Sequence, residues 1–315
     1  MSELTRSGAP AVGARRPYAV LALSLLGISF AGPLVRLSAA HPIAIAVWRL
    51  AFSLVVVAVM LAVTGGWRQW RTLDRRSAVA AAGAGAMLAL HFWSWNSSLA
   101  LTTVAASVVL VNMQPAVVAL VSAAWLGERP SGRQWGGIAF AMLGAFVVAA
   151  QDMGGAPAGG SRALLGDLLA LVGAVTAALY YSVGRRLRAT LDLWPYVGLV
   201  YGACLTTLLV LALLLRVPLA PQPPRELGIF AALAVGPMLL GHTGMNWALK
   251  YLPAYVVNLT VLGEPVGATL LAALLPGIAE VPTVWTVAGG GLILVGVLIA
   301  AAAPRTRPAA VAPAS

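Results

Sequence analysis

Residues 96–125, NSSLALTTVAASVVLVNMQPAVVALVSAAW, and residues 246–275, NWALKYLPAYVVNLTVLGEPVGATLLAALL, decide the fold when set side by side. Each is a long apolar run with a proline in its second half, Pro115 or Pro265. At a fixed offset of 150 positions Asn96 meets Asn246, Leu99 meets Leu249, Val111 meets Val261 and Pro115 meets Pro265. The same offset aligns Trp135 with Trp285 and Arg36 with Arg186, while His91 and His242 fall one residue out of phase. Any one match between apolar sequences is weak. Several rarer residue types sharing one offset are harder to ascribe to chance.

The rest of the chain has the same character. Of 315 residues, 60% are apolar and 9% are charged, against roughly 25% charged in a soluble domain. So few charges cannot cover a water-exposed surface, so lipid is the main solvent. The net charge of +11 does not point to nucleic acid, because a nucleic-acid face needs basic residues clustered on one folded surface. Here they form short clusters between apolar runs, the pattern of orientation signals for membrane insertion. Cys204 is the single cysteine. No intramolecular disulfide, CxxC pair or Cys/His metal spacing can be written, and no metal or cofactor is expected. Cys204 reads as a small buried apolar residue.

A helix crossing the hydrocarbon core needs about 20 apolar residues. Ten such spans are expected, at 18–35, 42–64, 77–99, 103–125, 134–150, 164–184, 194–215, 227–249, 254–275 and 283–303. They are helices because unpaired backbone groups are costly in lipid, and barrel strands would be shorter and alternate in polarity. The fold class expected is an all-α integral membrane protein with ten transmembrane helices. The run after the basic head, Arg6, Arg15 and Arg16, is longer than a signal-peptide core and reads as an uncleaved first helix. With the N-terminus inside, the inner segments hold fifteen basic residues and the outer ones four. Both termini are therefore expected in the cytoplasm, in a cytoplasmic (inner) membrane. The expected organisation is a tail at 1–17, a first half at 18–150, a linker at 151–163, a second half at 164–303 and a disordered tail at 304–315.

Five spans per half is an odd number, so the second half enters the membrane upside down relative to the first. Inverted repeats of this kind build secondary transporters, whose halves rock about a shared midplane site. Residues 91–137, HFWSWNSSLALTTVAASVVLVNMQPAVVALVSAAWLGERPSGRQWGG, with a serine-rich lead to a mid-helix proline and a closing Leu126-Gly127-Glu128-Arg129, resemble the EamA family of the drug/metabolite transporter superfamily. The resemblance runs over roughly 18–303, with a second copy at 246–275. In that copy the closing glutamate is Glu280, two residues off register and with no arginine after it. The resemblance implies metabolite transport across a cytoplasmic membrane, often export, and names no substrate.

Only Arg49 and Glu264 stand as charges inside the spans, with no interior aspartate. A charge at the bilayer centre costs about 2.5–3.5 kcal/mol on insertion scales and is by default a functional hypothesis. Glu264 is near the middle of its span, between Gly263 and Pro265, and Pro265 cannot donate to the carbonyl of Val261. A carboxylate beside unpaired backbone suits an amine or a proton, or else is satisfied by a neighbouring helix. Thr260 is placed one turn earlier on the same face. Arg49 is about 10 Å from the outer end of its span; it can bind a substrate carboxylate, pair with Glu264, or snorkel to the headgroups. Arg36 reads as an interfacial anchor. Asn112, Gln114 and Pro115 lie at mid-depth in the fourth span, and paired broken helices point to a transporter site, although prolines also kink ordinary membrane helices.

His91, Ser94, Trp95 and Ser98 share one face of the third span, as do His242 and Asn246 in the eighth. Such polar faces meet another helix or water, so either histidine relays protons or bonds between helices. Trp95, Trp247, Tyr180 and Tyr181 either stack on a substrate or fill space. Trp67, Trp70, Trp125, Trp135, Trp194 and Trp285 sit at span ends as an interfacial belt. Glu128 and Arg129 follow the fourth span and read as a cytoplasmic gate latch or a solvated loop. Gly198 and Gly202 form a GxxxG pair that permits close packing without specifying an oligomer.

The leading expectation is a secondary active transporter, an exporter of a small molecule that works by alternating access, couples to protons and contacts membrane lipids. No Walker A motif exists, so ATP is not its direct energy source. An intramembrane enzyme would need paired aspartates, HExxH or a serine with a base; HExxH is absent and no interior aspartate is expected in the spans. The alternative is a passive channel or a flippase for a lipid-linked or amphipathic substrate. An amino acid is the preferred solute, since Arg49 and Glu264 can hold the two ends of a zwitterion.

Overall fold

The computed structural model describes residues 16–127, 130–154, 161–279, 281 and 283–301, and every regular element among them is helical. Eight runs are long and apolar enough to cross a membrane: Arg16–Leu37, Pro42–Thr64, Arg75–Leu99, Ala106–Leu126, Arg162–Leu187, Leu193–Leu214, Pro224–Ala248 and Ala254–Leu274. Each agrees with an expected span to within three residues. The expected spans 134–150 and 283–303 correspond to helices Gly132–Gly154 and Val284–Ala301, which are not among the eight. Glu128, Arg129 and Glu280, both tails up to residue 15 and after 301, and the linker residues 155–160 lie outside the described residues.

The first run is broken at Phe30 into α1 (Arg16–Ser29) and α2 (Ala31–Leu37). Then come α3 (Pro42–Thr64), α4 (Arg75–Leu99), α5 (Val104–Val111), α6 (Gln114–Val121), α7 (Gly132–Gly154), α8 (Ser161–Leu187) and α9 (Leu193–Leu214). They are followed by α10 (Pro224–Leu233), α11 (Gly244–Ala248), α12 (Ala254–Val261), α13 (Glu264–Leu274) and α14 (Val284–Ala301). Between α10 and α11, Ala234–Thr243 is wound as a π-helix around Pro237, the wider turn that accommodates a missing N–H.

Local sequence sets the helix ends. His41 Nδ1, Asp74 and Thr103 accept the orphan N–H groups at the starts of α3, α4 and α5. Ser131 and Gln134 bond reciprocally at the start of α7, a capping box. Gly65 and Gly127 end their helices at φ of 66° and 69°, where a side chain would be strained.

The two diagnostic stretches break in the same way. After Val111 and after Val261 two residues leave the helix, which restarts at Gln114-Pro115 and Glu264-Pro265. The offset of 150 thus extends to backbone conformation and pairs Gln114 with Glu264. α5 packs on α13 and α6 on α12, so the broken helices run antiparallel with their breaks side by side.

Contacts between loops define two ends. At one, Ser38 and the Ala39 N–H bond to Glu226, and Trp48 donates to the Leu219 carbonyl (2.8 Å). At the other, Gln69 donates to Asp192 (2.7 Å), Trp70 to the Pro195 carbonyl, and Arg186 lies 4.4 Å from the centre of the Trp125 ring. Lys250 and Gln69 hold the Asp192 carboxyl below the usual carboxylate range. Arg16, Arg68, Arg71, Arg185 and Lys250 share this second, basic end.

Two expectations about the spans are corrected. Asp167 is a third charge within a span, half-buried in α8 and bonded to Thr102; its place near one end, beside a hydroxyl, lets the helix tolerate it. Close packing at the Gly198–Gly202 pair is confined to Gly198, where a Cβ would lie 3.0 Å from Leu61 Cδ1 and Trp70 Cζ2, while Gly202 has open space around it. At Gly85 in α4, by contrast, a Cβ would lie 2.6 Å from both the Val200 carbonyl and the Ala203 Cβ of α9. Gly85→Ala is therefore expected to force α4 and α9 apart, at about 1–3 kcal/mol. Gly83→Ala, with nothing within 4 Å of the added carbon, is the control. Thermal unfolding of both variants in detergent checks the pair, and equal melting temperatures would refute the close contact.

Candidate functional site

The breaks meet at a small cavity lined by several helical segments of the fold. Its floor is the pair of broken helices: Val111, Asn112 and Gln114 from one and Val261 and Glu264 from the other. Ile28 and Ala31, flanking the break at Phe30, supply an apolar side. His91 and Trp95 of α4, Tyr181 of α8 and His242 of the π-helical stretch form an aromatic wall.

That wall is a continuous set of rings. His91 stacks on Trp95 with centroids 6.0 Å apart, and Tyr181 stacks on His242 at 6.1 Å. His91 and His242 meet edge to face, joining the two stacks. Hydrogen bonds fix both imidazoles. His91 Nδ1 lies 2.9 Å from the Gly173 carbonyl, which can only accept, so Nδ1 carries the proton. His242 Nδ1 lies 3.0 Å from the Tyr181 hydroxyl.

The floor joins the two broken helices through polar side chains. Asn112 Nδ2 donates to the Val108 carbonyl (2.7 Å) and to Glu264 Oε2 (3.4 Å), while Gln114 donates to Asn258. These donations fix the Asn112 amide, and its Oδ1 is buried with no partner among the described residues. Trp95 Nε1 is likewise buried and unpartnered among them. Pro115 and Pro265 leave the Val111 and Val261 carbonyls without the usual i+4 donor. The cavity thus offers one free donor and several acceptors around the Glu264 carboxylate, which is itself 3% exposed.

Seven candidates from the sequence line this cavity: Glu264, Asn112, Gln114, His91, Trp95, Tyr181 and His242. Asn246 and Tyr180 are bonded to each other outside it, and Asn246 also donates to the His242 carbonyl (2.8 Å). Thr260 is not on the lining, because the break at 262–263 interrupts the helical phase that would stack it beneath Glu264. Its place is taken by Val261. Arg49 does not snorkel. It is fully enclosed, with its guanidinium 4.2 Å from the centre of the Phe92 ring, because α4 and α9 close over it before it reaches a headgroup. Arg36 is more than an anchor, donating to the Leu99 carbonyl at the end of α4 (2.6 Å). Its counterpart in contact is Arg185, one position short of the offset match Arg186, which donates to the Leu249 carbonyl (2.6 Å).

Comparison with known proteins agrees with this architecture. The chain is 27% identical over 293 residues to a protein of Archaeoglobus fulgidus named "Uncharacterized transporter", covering 90% of this chain and 98% of that one. A solved crystal structure superposes with a TM-score of 0.70 at 22% identity, over 90% of this chain and 96% of the other, so the fold is shared. Residues 17–150 match the EamA-like transporter family, and residues 164–302 match it again. The chain is a multi-pass membrane protein and belongs to the EamA-like transporter family.

Proposed function

We propose that the protein is a secondary active transporter that moves a small amine-bearing metabolite, such as an amino acid, by alternating access through the central cavity. In this reading ten spans form two inverted halves, 18–150 and 164–303, joined by 151–163. α7 and α14 supply the two spans beyond the eight. They pack closely, a Cβ at Gly144 lying 2.5 Å from the Gly289 carbonyl. The basic end faces the cytoplasm with both tails, as the positive-inside rule requires, and the direction is export across the cytoplasmic membrane.

One observation carries the reading: two helices broken at positions 150 residues apart meet antiparallel, and Asn112 of one bonds to Glu264 of the other at the cavity floor. Transporter sites are built at such midplane breaks. The acceptors around Glu264 suit an ammonium group, and the ring wall suits the apolar part of its carrier. Glu264 binds that amine or a proton in turn, which couples solute movement to the proton gradient.

Counterflow in proteoliposomes, with a labelled panel of amino acids and with or without a pH gradient, tests the proposal. Saturable exchange of one solute, accelerated by the gradient, is the expected result. Flux that never saturates would replace the carrier by a channel. Movement of a lipid-linked probe with no exchange of any soluble amine would replace it by a flippase.

A further inference from the structure

Arg49 has no exposed surface, and none of its Nε, Nη1 and Nη2 atoms has a hydrogen-bond partner among the described residues. Arginine stays charged in proteins, and its N–H donors lie in the guanidinium plane. The Phe92 ring covers a face of that plane at 4.2 Å. Stacking of this kind occupies a face and leaves the in-plane donors unused. Glu264, Tyr181 and Tyr201 are within electrostatic range of the charge, yet none of them accepts a hydrogen bond from it. A buried ion without an acceptor is strongly unfavourable, so the donors are poised for one.

The position of Phe92 says where that acceptor enters. Its ring meets His242 edge-on at 5.5 Å and His91 at 5.2 Å, and both histidines line the cavity. Arg49 is therefore one ring behind the cavity wall. We propose that Arg49 is an occluded anion subsite, shuttered by Phe92, that binds a carboxylate through its in-plane donors. The inference rests on the central cavity being the substrate site. With Glu264 at the amine end, it makes the ligand a zwitterion whose two charges are read by separate, mutually attracting residues. The same donors would also bind a free halide, and the experiment separates these two sources.

The test is thermal unfolding of the full chain in nanodiscs, titrated with sodium formate and, separately, with sodium chloride. Wild type, Arg49→Lys and Arg49→Met are compared in the same salts, so that general ionic-strength effects cancel. The expected result is a saturable rise in melting temperature with formate. It weakens about tenfold or more in apparent affinity in Arg49→Lys, which loses the planar fork, and is lost in Arg49→Met. Without anion, Arg49→Met melts at or above wild type, because it removes an unpaired buried charge. If Arg49→Met does not fold, the charge-retaining Arg49→Lys carries the comparison. An Arg49-dependent response to chloride but not formate upholds the anion subsite and assigns it to a free halide. Responses to both salts that are identical in wild type and Arg49→Lys overturn it. No transport is needed for this readout, so a failed counterflow experiment and a failed anion titration are distinguishable.

Discussion

Glu264→Gln is expected to abolish the acceleration of exchange by a pH gradient and to lower turnover of an amine-bearing solute by about a hundredfold, the scale expected when one member of a buried charge contact is lost. The substitution keeps the shape of the side chain and an oxygen that can accept from Asn112 Nδ2, now 3.4 Å from Glu264 Oε2. The junction between the broken helices therefore survives, and the loss reports on charge. Gln114 provides an internal comparison, since it occupies the position 150 residues earlier, before the other proline. Gln114→Ala removes the bond to Asn258 and leaves the carboxylate in place, so it should lower the rate and retain the pH response. Counterflow with wild type and both variants, in vesicles carrying matched amounts of protein, makes the measurement. Unchanged pH-driven exchange by Glu264→Gln would reduce Glu264 to a structural residue and remove it from the coupling step.

What could be read from the sequence follows from how local each feature is. The breaks at Pro115 and Pro265 were legible because a missing N–H is a property of one residue, and the spans because length and apolarity are properties of one segment. The azimuth of a side chain is different. Tyr180 and Tyr181 are neighbours about 100° apart around one helix, and only the packing of α8 against α4 and α11 turns Tyr181 to His242 and Tyr180 to Asn246. Thr260 shows how a break invalidates the periodicity that placed it. The charge of Arg49 inside a span is a property of the sequence, but snorkelling depends on whether neighbours leave a path, and α4 and α9 close it. The break at Phe30, which brings Ile28 and Ala31 to the cavity, has the same local cause as those at Pro115 and Pro265, since Pro33 cannot donate to the carbonyl of Ser29.

Arg36→Ala and Arg185→Ala should shift the accessibility of the cavity in opposite directions. Arg36 holds the last carbonyl of α4, Leu99, and that of Thr102 just beyond it at one end of the molecule, and Arg185 holds Leu249 after α11 at the basic end. Leu99 and Leu249 are 150 residues apart, so the two clasps close corresponding helix ends at opposite mouths. In an alternating-access cycle, opening a mouth separates the helices around it, and a clasp favours the state in which its own mouth is shut. A hydrogen bond from a charged donor contributes about 1.5–3 kcal/mol, so losing one clasp should shift the balance between the two states by roughly tenfold or more. Cys204 is buried and is the single cysteine of the chain, so Cys204→Ser gives a clean background for a reporter. A cysteine at Ile28, on the cavity lining, is then labelled with an impermeant maleimide from either side of sealed, oriented vesicles. Arg36→Ala should raise labelling from the end that carries Glu226, and Arg185→Ala from the basic end. Shifts in the same direction would show that the two bonds only stabilise the fold, and would separate the arginines from any gating role.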